Sequence, residues 1–197
     1  MELAKLLENY PGTSASDWHQ HSNGGGWVQN TATVADSAYV ASSAVISGNA
    51  RIGDYASVYN NARVSGDAEV SGKAEIFGNA SVSDDAKVFG NALVHGDARV
   101  CENAWIFGNA EVSSNAMVYG NALVCDYARI SGYAWVFGNA RVSGNASVFR
   151  NAMIFENAWV RGNARVSGDV KVCGNAVVSG DARVSGTTRV SGQDVLV

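Results

Sequence analysis

The sequence predicts an all-β solenoid, and three observations carry that prediction. From Gly26 to Gln193 one six-residue unit repeats without a break: 193 − 25 gives 168 residues, and 168/6 gives 28 units. The third position is Val or Ile in all 28, and the first is Ala in 25, the exceptions being Gly26, Val170 and Thr188. The fifth position is Gly in 17 units and the sixth is Asn or Asp in 19. An uninterrupted short period is the mark of a stacked, quasi-one-dimensional fold, and it outranks local propensity.

Each unit must be a short strand followed by a corner, because six matches neither the helical period of 3.6 nor plain alternation. Ala and Val sit two apart and so face the same way, while the second and fourth positions face the opposite way. Around the inward Val142, for example, Arg141 and Ser143 point out. Gly, Asn and Asp at the fifth and sixth positions reach left-handed backbone angles at low cost, which a tight corner needs. Where one slot departs the other usually complies, as in Asp126-Tyr127 and Arg150-Asn151; only Ser42-Ser43 has none of the three.

An aliphatic residue followed four positions later by a small one, as in Val142 and Ala146 or Val148 and Ala152, resembles the hexapeptide-repeat, left-handed parallel β-helix family. The resemblance covers 168 of 197 residues. It implies three units per triangular coil, hence 28/3 or about nine coils, and a prism roughly 45 Å long at a strand spacing of about 4.8 Å. Stacked corner Asn side chains are expected to form hydrogen-bonded ladders. The glycine-rich entry Gly24-Gly25-Gly26-Trp27-Val28 into G-N-A-x-V units resembles, in style, proteins encoded in phages, prophages and enterobacteria.

Outside the repeat, residues 1–25 read as an N-terminal cap and 26–197 as the solenoid. Leu3, Leu6, Leu7 and Tyr10 recur at helical spacing and Pro11-Gly12 stops them, so a short amphipathic helix is expected over residues 2–10. A helix that short needs a surface to cover, and the open first coil is the expected one. In the linker that follows, Trp18 is the expected anchor, and His19 and His21 are too few to hold a metal.

A net charge of −4 does not make nucleic acid or an acidic membrane an expected partner. Residues 1–98 sum to 5 − 11 = −6 and residues 99–197 to 9 − 7 = +2, a modest axial asymmetry. No apolar run is long enough for a membrane span. Cys101, Cys125 and Cys173 all take the outward fourth position; Cys101 and Cys173 lie four coils, about 19 Å, apart and cannot be bridged. Unpaired thiols point to a reducing, cytoplasmic setting.

Characterised relatives within the resemblance are mostly acyltransferases with a catalytic His at a subunit boundary, a loop extruded from one coil and a C-terminal extension. This sequence has neither loop nor extension, and His95 is the one His in the repeat. A general base needs an orienting partner and a pocket, and neither is evident for His95. No cofactor motif is present, and the mixed outward residues do not resemble the flat Thr ladders of ice-binding solenoids.

Residues 18 apart stack on one face, so the outward columns can be read directly. The first face gathers Met117, Tyr119, Trp135, Phe137, Met153 and Phe155. The second carries Trp105, Phe107, Arg141, Trp159 and Arg161, and the third is more polar in its lower half. Such a contiguous apolar block marks an interface or ligand site. The leading expectation is therefore a non-catalytic scaffold that self-associates, three copies around an axis as the resemblance implies. Its aromatics and Arg could also hold a small anionic, nucleotide-like ligand at the junction. The alternative is an acyltransferase with His95 as base.

Overall fold

The computed structural model describes all residues, Met1–Val197, as a parallel three-sheet β-solenoid of about nine coils with one short N-terminal helix. The three faces are sheets of 11, 10 and 9 strands. Within them, strands 18 residues apart pair in parallel, as Trp27 with Val45 and Val45 with Arg63. Each coil therefore lays every repeat position on top of its counterpart in the next.

Inside the prism, Ala and Val or Ile form one continuous core of 51 buried residues. Almost all are fully buried, and each inward Val contributes on the order of 1.5–3 kcal/mol. Between coils, amides of the second, fourth and sixth positions donate to the coil below: Arg51 to Ala68, Gly53 to Val70 and Tyr55 to Gly72, at 2.8–2.9 Å.

At the corners the fifth position alone takes the left-handed conformation. Seventeen glycines occupy it throughout the repeat, and so do Asp54, Asn60, Asp84, Glu102, Ser114, Asp126, Arg150 and Glu156, with φ between 54° and 63°. Four of the acids have a compensating role, because their carboxylates accept a hydrogen bond from the fifth-position amide one coil below. Asp54 receives Gly72 at 2.8 Å, Asp84 receives Glu102 at 3.1 Å, Asp126 receives Gly144 at 2.9 Å and Glu156 receives Gly174. The sixth position supplies the expected amide ladders, for instance Asn121–Asn139–Asn157–Asn175 with N···O of 3.1–3.3 Å.

The first coil is built differently. Asn30, Asp36 and Ser42 are not left-handed, and the hydroxyls of Thr31, Ser37 and Ser43 donate to the carbonyls of Gly48, Asp54 and Asn60 instead of the backbone amides doing so. This accounts for Thr and Ser at the sixth position of the first three units, including Ser42-Ser43.

Helix α1 (Leu3–Asn9) is present, but it does not lie across the end of the prism. Leu6 packs with Trp18 and Val45, and Met1, Leu3, Leu7, Tyr10 and Trp27 surround them. Val45 and Trp27 are outward residues of the first face, so α1 covers the side of the first two coils. The end is closed by the linker. Strand β1 (Trp18–Gln20) pairs antiparallel with β2 (Trp27–Gln29), and Gly26 donates to Val40 across the third sheet's edge at 2.8 Å. Trp18 anchors this cap as expected, with its indole N–H on the Thr13 hydroxyl at 3.0 Å and Tyr10 at 5.0 Å. His19 and His21 diverge: the first donates from Nδ1 to Asn30 at 2.8 Å, and the buried second donates from Nε2 to the Ala38 carbonyl at 3.0 Å.

The carboxylate cap at left-handed corners gives a direct test. Asp126→Ala keeps the strained conformation and loses the bond to Gly144, so it is expected to lower stability by about 1–3 kcal/mol in urea unfolding. Asp126→Gly loses the same bond but relieves the backbone, and is expected to cost less than about 1 kcal/mol.

Candidate functional site

The first-face residues picked out by the 18-residue spacing do form one patch. Met117, Trp135 and Met153 occupy successive strands in register, at the second position. Beside them at the fourth position, the rings of Tyr119, Phe137 and Phe155 stack face to face at 4.9 and 5.1 Å, within 4° of parallel. Trp135 meets Tyr119 edge-on at 6.4 Å and keeps 40% of its surface exposed. Much of each ring in the fourth column is therefore covered by its neighbours within the chain. In the second column Trp135 stands exposed between the half-buried Met117 and Met153.

On the second face the expected set separates. Phe107 stacks on Phe89 at 5.0 Å, and Trp105 stands edge-on to Phe89 at 6.1 Å with the Lys87 ammonium 5.7 Å from its ring. Trp105, Leu123 and Arg141 lie on consecutive strands and, with Asn103 and Asn121, line a shallow recess of about 380 Å³. Three coils below Trp105, Trp159 and Arg161 engage each other. The guanidinium sits 4.2 Å from the indole centroid, and the indole N–H donates to Ser143 at 3.1 Å. That pair is already satisfied.

The third face holds a column that the reading of the sequence passed over. Tyr59, Phe77 and His95 stack at 4.9 and 4.6 Å, within 4° of parallel. Their numbers are 18 apart, the same signal that exposed the first-face stripe. Tyr59 donates its hydroxyl proton to Glu75 at 2.7 Å; burial, aided by that carboxylate, pushes the phenol up to about 12. His95 does have an orienting partner, contrary to expectation. Its Nε2 lies 3.1 Å from Glu111 Oε1, and Arg129 Nε lies 3.6 Å from Glu111 Oε2. Glu111 was hidden because it sits one coil away, 16 residues on. One ring face of His95 is covered by Phe77, and His95 lines none of the larger recesses.

The largest recess, about 650 Å³, lies on the first face between α1 and the aromatic patch, with Arg63, Ser81, Arg99 and Met117 down its length. No group of three or more His, Cys, Asp or Glu is gathered to hold a metal ion. No helix is long and apolar enough to cross a membrane.

The three cysteines are free, as their spacing requires, but the outward fourth position does not expose them equally. Cys173 follows Phe155 in the first-face column and Cys125 follows Phe107 in the second-face column; they retain only 1% and 8% exposure. Small, polarizable thiols thus finish the ring ladders. Burial, with Asp126 beside it, pushes the Cys125 thiol up to about 11, and burial with Asp84 also raises Cys101. Iodoacetamide at pH 8 is therefore expected to modify half-buried Cys101 first. Cys125, with a thiolate fraction on the order of 0.001 at that pH, should react at a rate rising about tenfold per pH unit until near 11. Peptide mass spectrometry reads both. Compared with known protein families and with curated proteins, the chain matches none.

Proposed function

We propose that this chain is a non-catalytic scaffold of the left-handed hexapeptide type that associates with copies of itself through its first face. The observation that carries the reading is the second-position column Met117–Trp135–Met153, stacked on successive strands with Trp135 exposed at its centre. Met and aromatic residues are enriched in interface cores, and a few such residues supply most of an interface's energy. Three copies around an axis along the solenoid suit a face that is apolar at mid-height. Arg141, with no acid within 4.0 Å and Trp105 and Leu123 beside it, is then the group available to a small anionic ligand near the junction. Native mass spectrometry of the purified protein reads subunit number and co-purified anion together.

Trp135→Glu combined with Phe137→Lys is expected to convert the assembly to monomers while leaving the β-sheet circular dichroism unchanged. A wild-type protein that sediments as a monomer across micromolar concentrations would overturn the reading.

One observation favours the acyltransferase alternative: the Glu111 carboxylate that holds His95 Nε2. A general base also needs substrate room beside its free nitrogen, and the stacked Phe77 takes one side of the ring. Incubation with short and long acyl-CoA donors is expected to release no thiol that His95→Ala abolishes; a loss of tenfold or more would favour the enzyme.

A further inference from the structure

The repeat places a carboxylate at its second position three times, at Glu69, Glu75 and Glu111. Two of these hold a cation of the chain: Glu69 takes Lys87 at 3.2 Å, and Glu111 takes His95 and Arg129 at 3.1 and 3.6 Å. Glu75 holds none. Its Oε2 accepts the Tyr59 hydroxyl at 2.7 Å, and its Oε1 accepts nothing from the chain yet is not sealed from solvent. The adjoining corners carry two cations, Lys73 and the Met1 ammonium seated on the Ser42 carbonyl, and neither lies within 4.0 Å of Glu75. Asp36 and Asp54, on the corner before the face, are acids.

Glu75 borders an unfinished ladder. Tyr59 is the uppermost ring of the column Tyr59–Phe77–His95, whose rungs are 4.9 and 4.6 Å apart. Phe77 covers its lower face, and above its upper face the fourth position holds only the methyl group of Ala41. In the second position the small Ser57 lies between Tyr39 above and Glu75 below, on strands in register. Two small residues side by side leave a recess of about 370 Å³ walled by Tyr39, Tyr59 and Glu75. Tyr39 abuts the cap, where a Cβ at Gly24 would stand 2.8 Å from its ring, and keeps 41% of its surface exposed. Because burial and Glu75 push the Tyr59 phenol up to about 12, it is neutral at pH 7 and cannot cancel the carboxylate's charge.

We infer that this recess binds a guanidinium group, laid flat on the open face of Tyr59 as the next rung, with Glu75 Oε1 accepting from its edge. A guanidinium is planar, cationic and edged with donors, so one group satisfies both the ring and the carboxylate. An ammonium meets the charge but not the plane; an uncharged ring meets the plane but not the charge. The chain makes the same pairing elsewhere: Arg161 lies 4.2 Å from the Trp159 ring and, lower on this third face, Arg165 lies 5.7 Å from Phe149. The second-face ladder supplies a contrast. Above Phe89 stands Ser71, also small, but there Glu69 already holds Lys87. The guanidinium can belong to a free small molecule or to an arginine side chain of another protein. The recess lies on the third face, so the inference is independent of self-association through the first.

Titration of the full chain with methylguanidinium at pH 7, followed by nuclear magnetic resonance of isotope-labelled tyrosine rings, tests this. The Tyr39 and Tyr59 signals are expected to move together and saturate, with a dissociation constant on the order of 10 mM for so small a group. Tyr119, on the first face, is expected to stay still, and its unchanged signals report the fold in each variant. Methylammonium, of equal charge, is expected to bind about fivefold more weakly or worse. Glu75→Gln keeps an acceptor for the Tyr59 hydroxyl but removes the charge, and is expected to weaken methylguanidinium binding about fivefold or more. Ala41→Phe supplies the missing rung from within the chain and is expected to abolish the response. A blocked glycyl-arginyl-glycine peptide separates the sources: tighter binding than methylguanidinium assigns the site to a protein's arginine, and equal or weaker binding to a free small molecule. A Tyr59 signal that does not move overturns the inference. So does methylammonium that binds as well as methylguanidinium, or a Glu75→Gln protein that binds as well as the wild type.

Discussion

The structure depends on one constraint: equal repeat positions must lie directly above one another, about 4.8 Å apart, through every coil. Backbone amides of one coil donate to carbonyls of the next, and this ladder has no slack for a side chain of the wrong kind. A Cβ at Gly120, for example, would stand 2.8 Å from the amide nitrogen of Gly138. Identity of position thus becomes identity of environment. That is why a column of Val and Ile is buried without exception from Val28 to Val190, save the partly open Val34 in the first coil.

The same constraint organises the surface. Flat side chains at the fourth position are forced to the stacking distance of aromatic rings, so a ring above a ring is satisfied with no partner from outside. The ladders Tyr59–Phe77–His95, Phe89–Phe107 and Tyr119–Phe137–Phe155 occur on the three faces in turn, at successive heights. The second position is less committed, and there the chain places Trp135 and Trp105, with 40% and 43% of their surfaces exposed. Exposed aromatic surface and internal stacking therefore occupy different columns of one face.

Much of this was legible in the sequence because a fixed period converts number into place. The coil length, the inward Val and Ala, and the gathering of Met117, Trp135 and Met153 all follow from counting by six and eighteen. What was not legible depended on contacts that the period does not encode. The side-on seat of α1 depends on Val45 being an apolar residue at an outward position, a departure easily read as noise. His95 and Glu111 meet because one fourth position reaches a second position in the coil below. Cys125 and Cys173 are buried by the bulk of Phe107 and Phe155 above them, although their own position is outward. In each case a neighbour's size or charge decided the outcome.

The absence of any insertion between Gly26 and Gln193 has a consequence for how such a molecule can change. Every separation along a face is an integer number of steps, so the solenoid behaves as a graduated rule. Gain or loss of a single residue would turn all later side chains inside out. Gain or loss of 18 residues would move two groups of a face apart or together by one step, leaving each in its own surroundings. Spacing and chemistry are separable here: duplication of a coil adjusts the first, and substitution at an outward position adjusts the second.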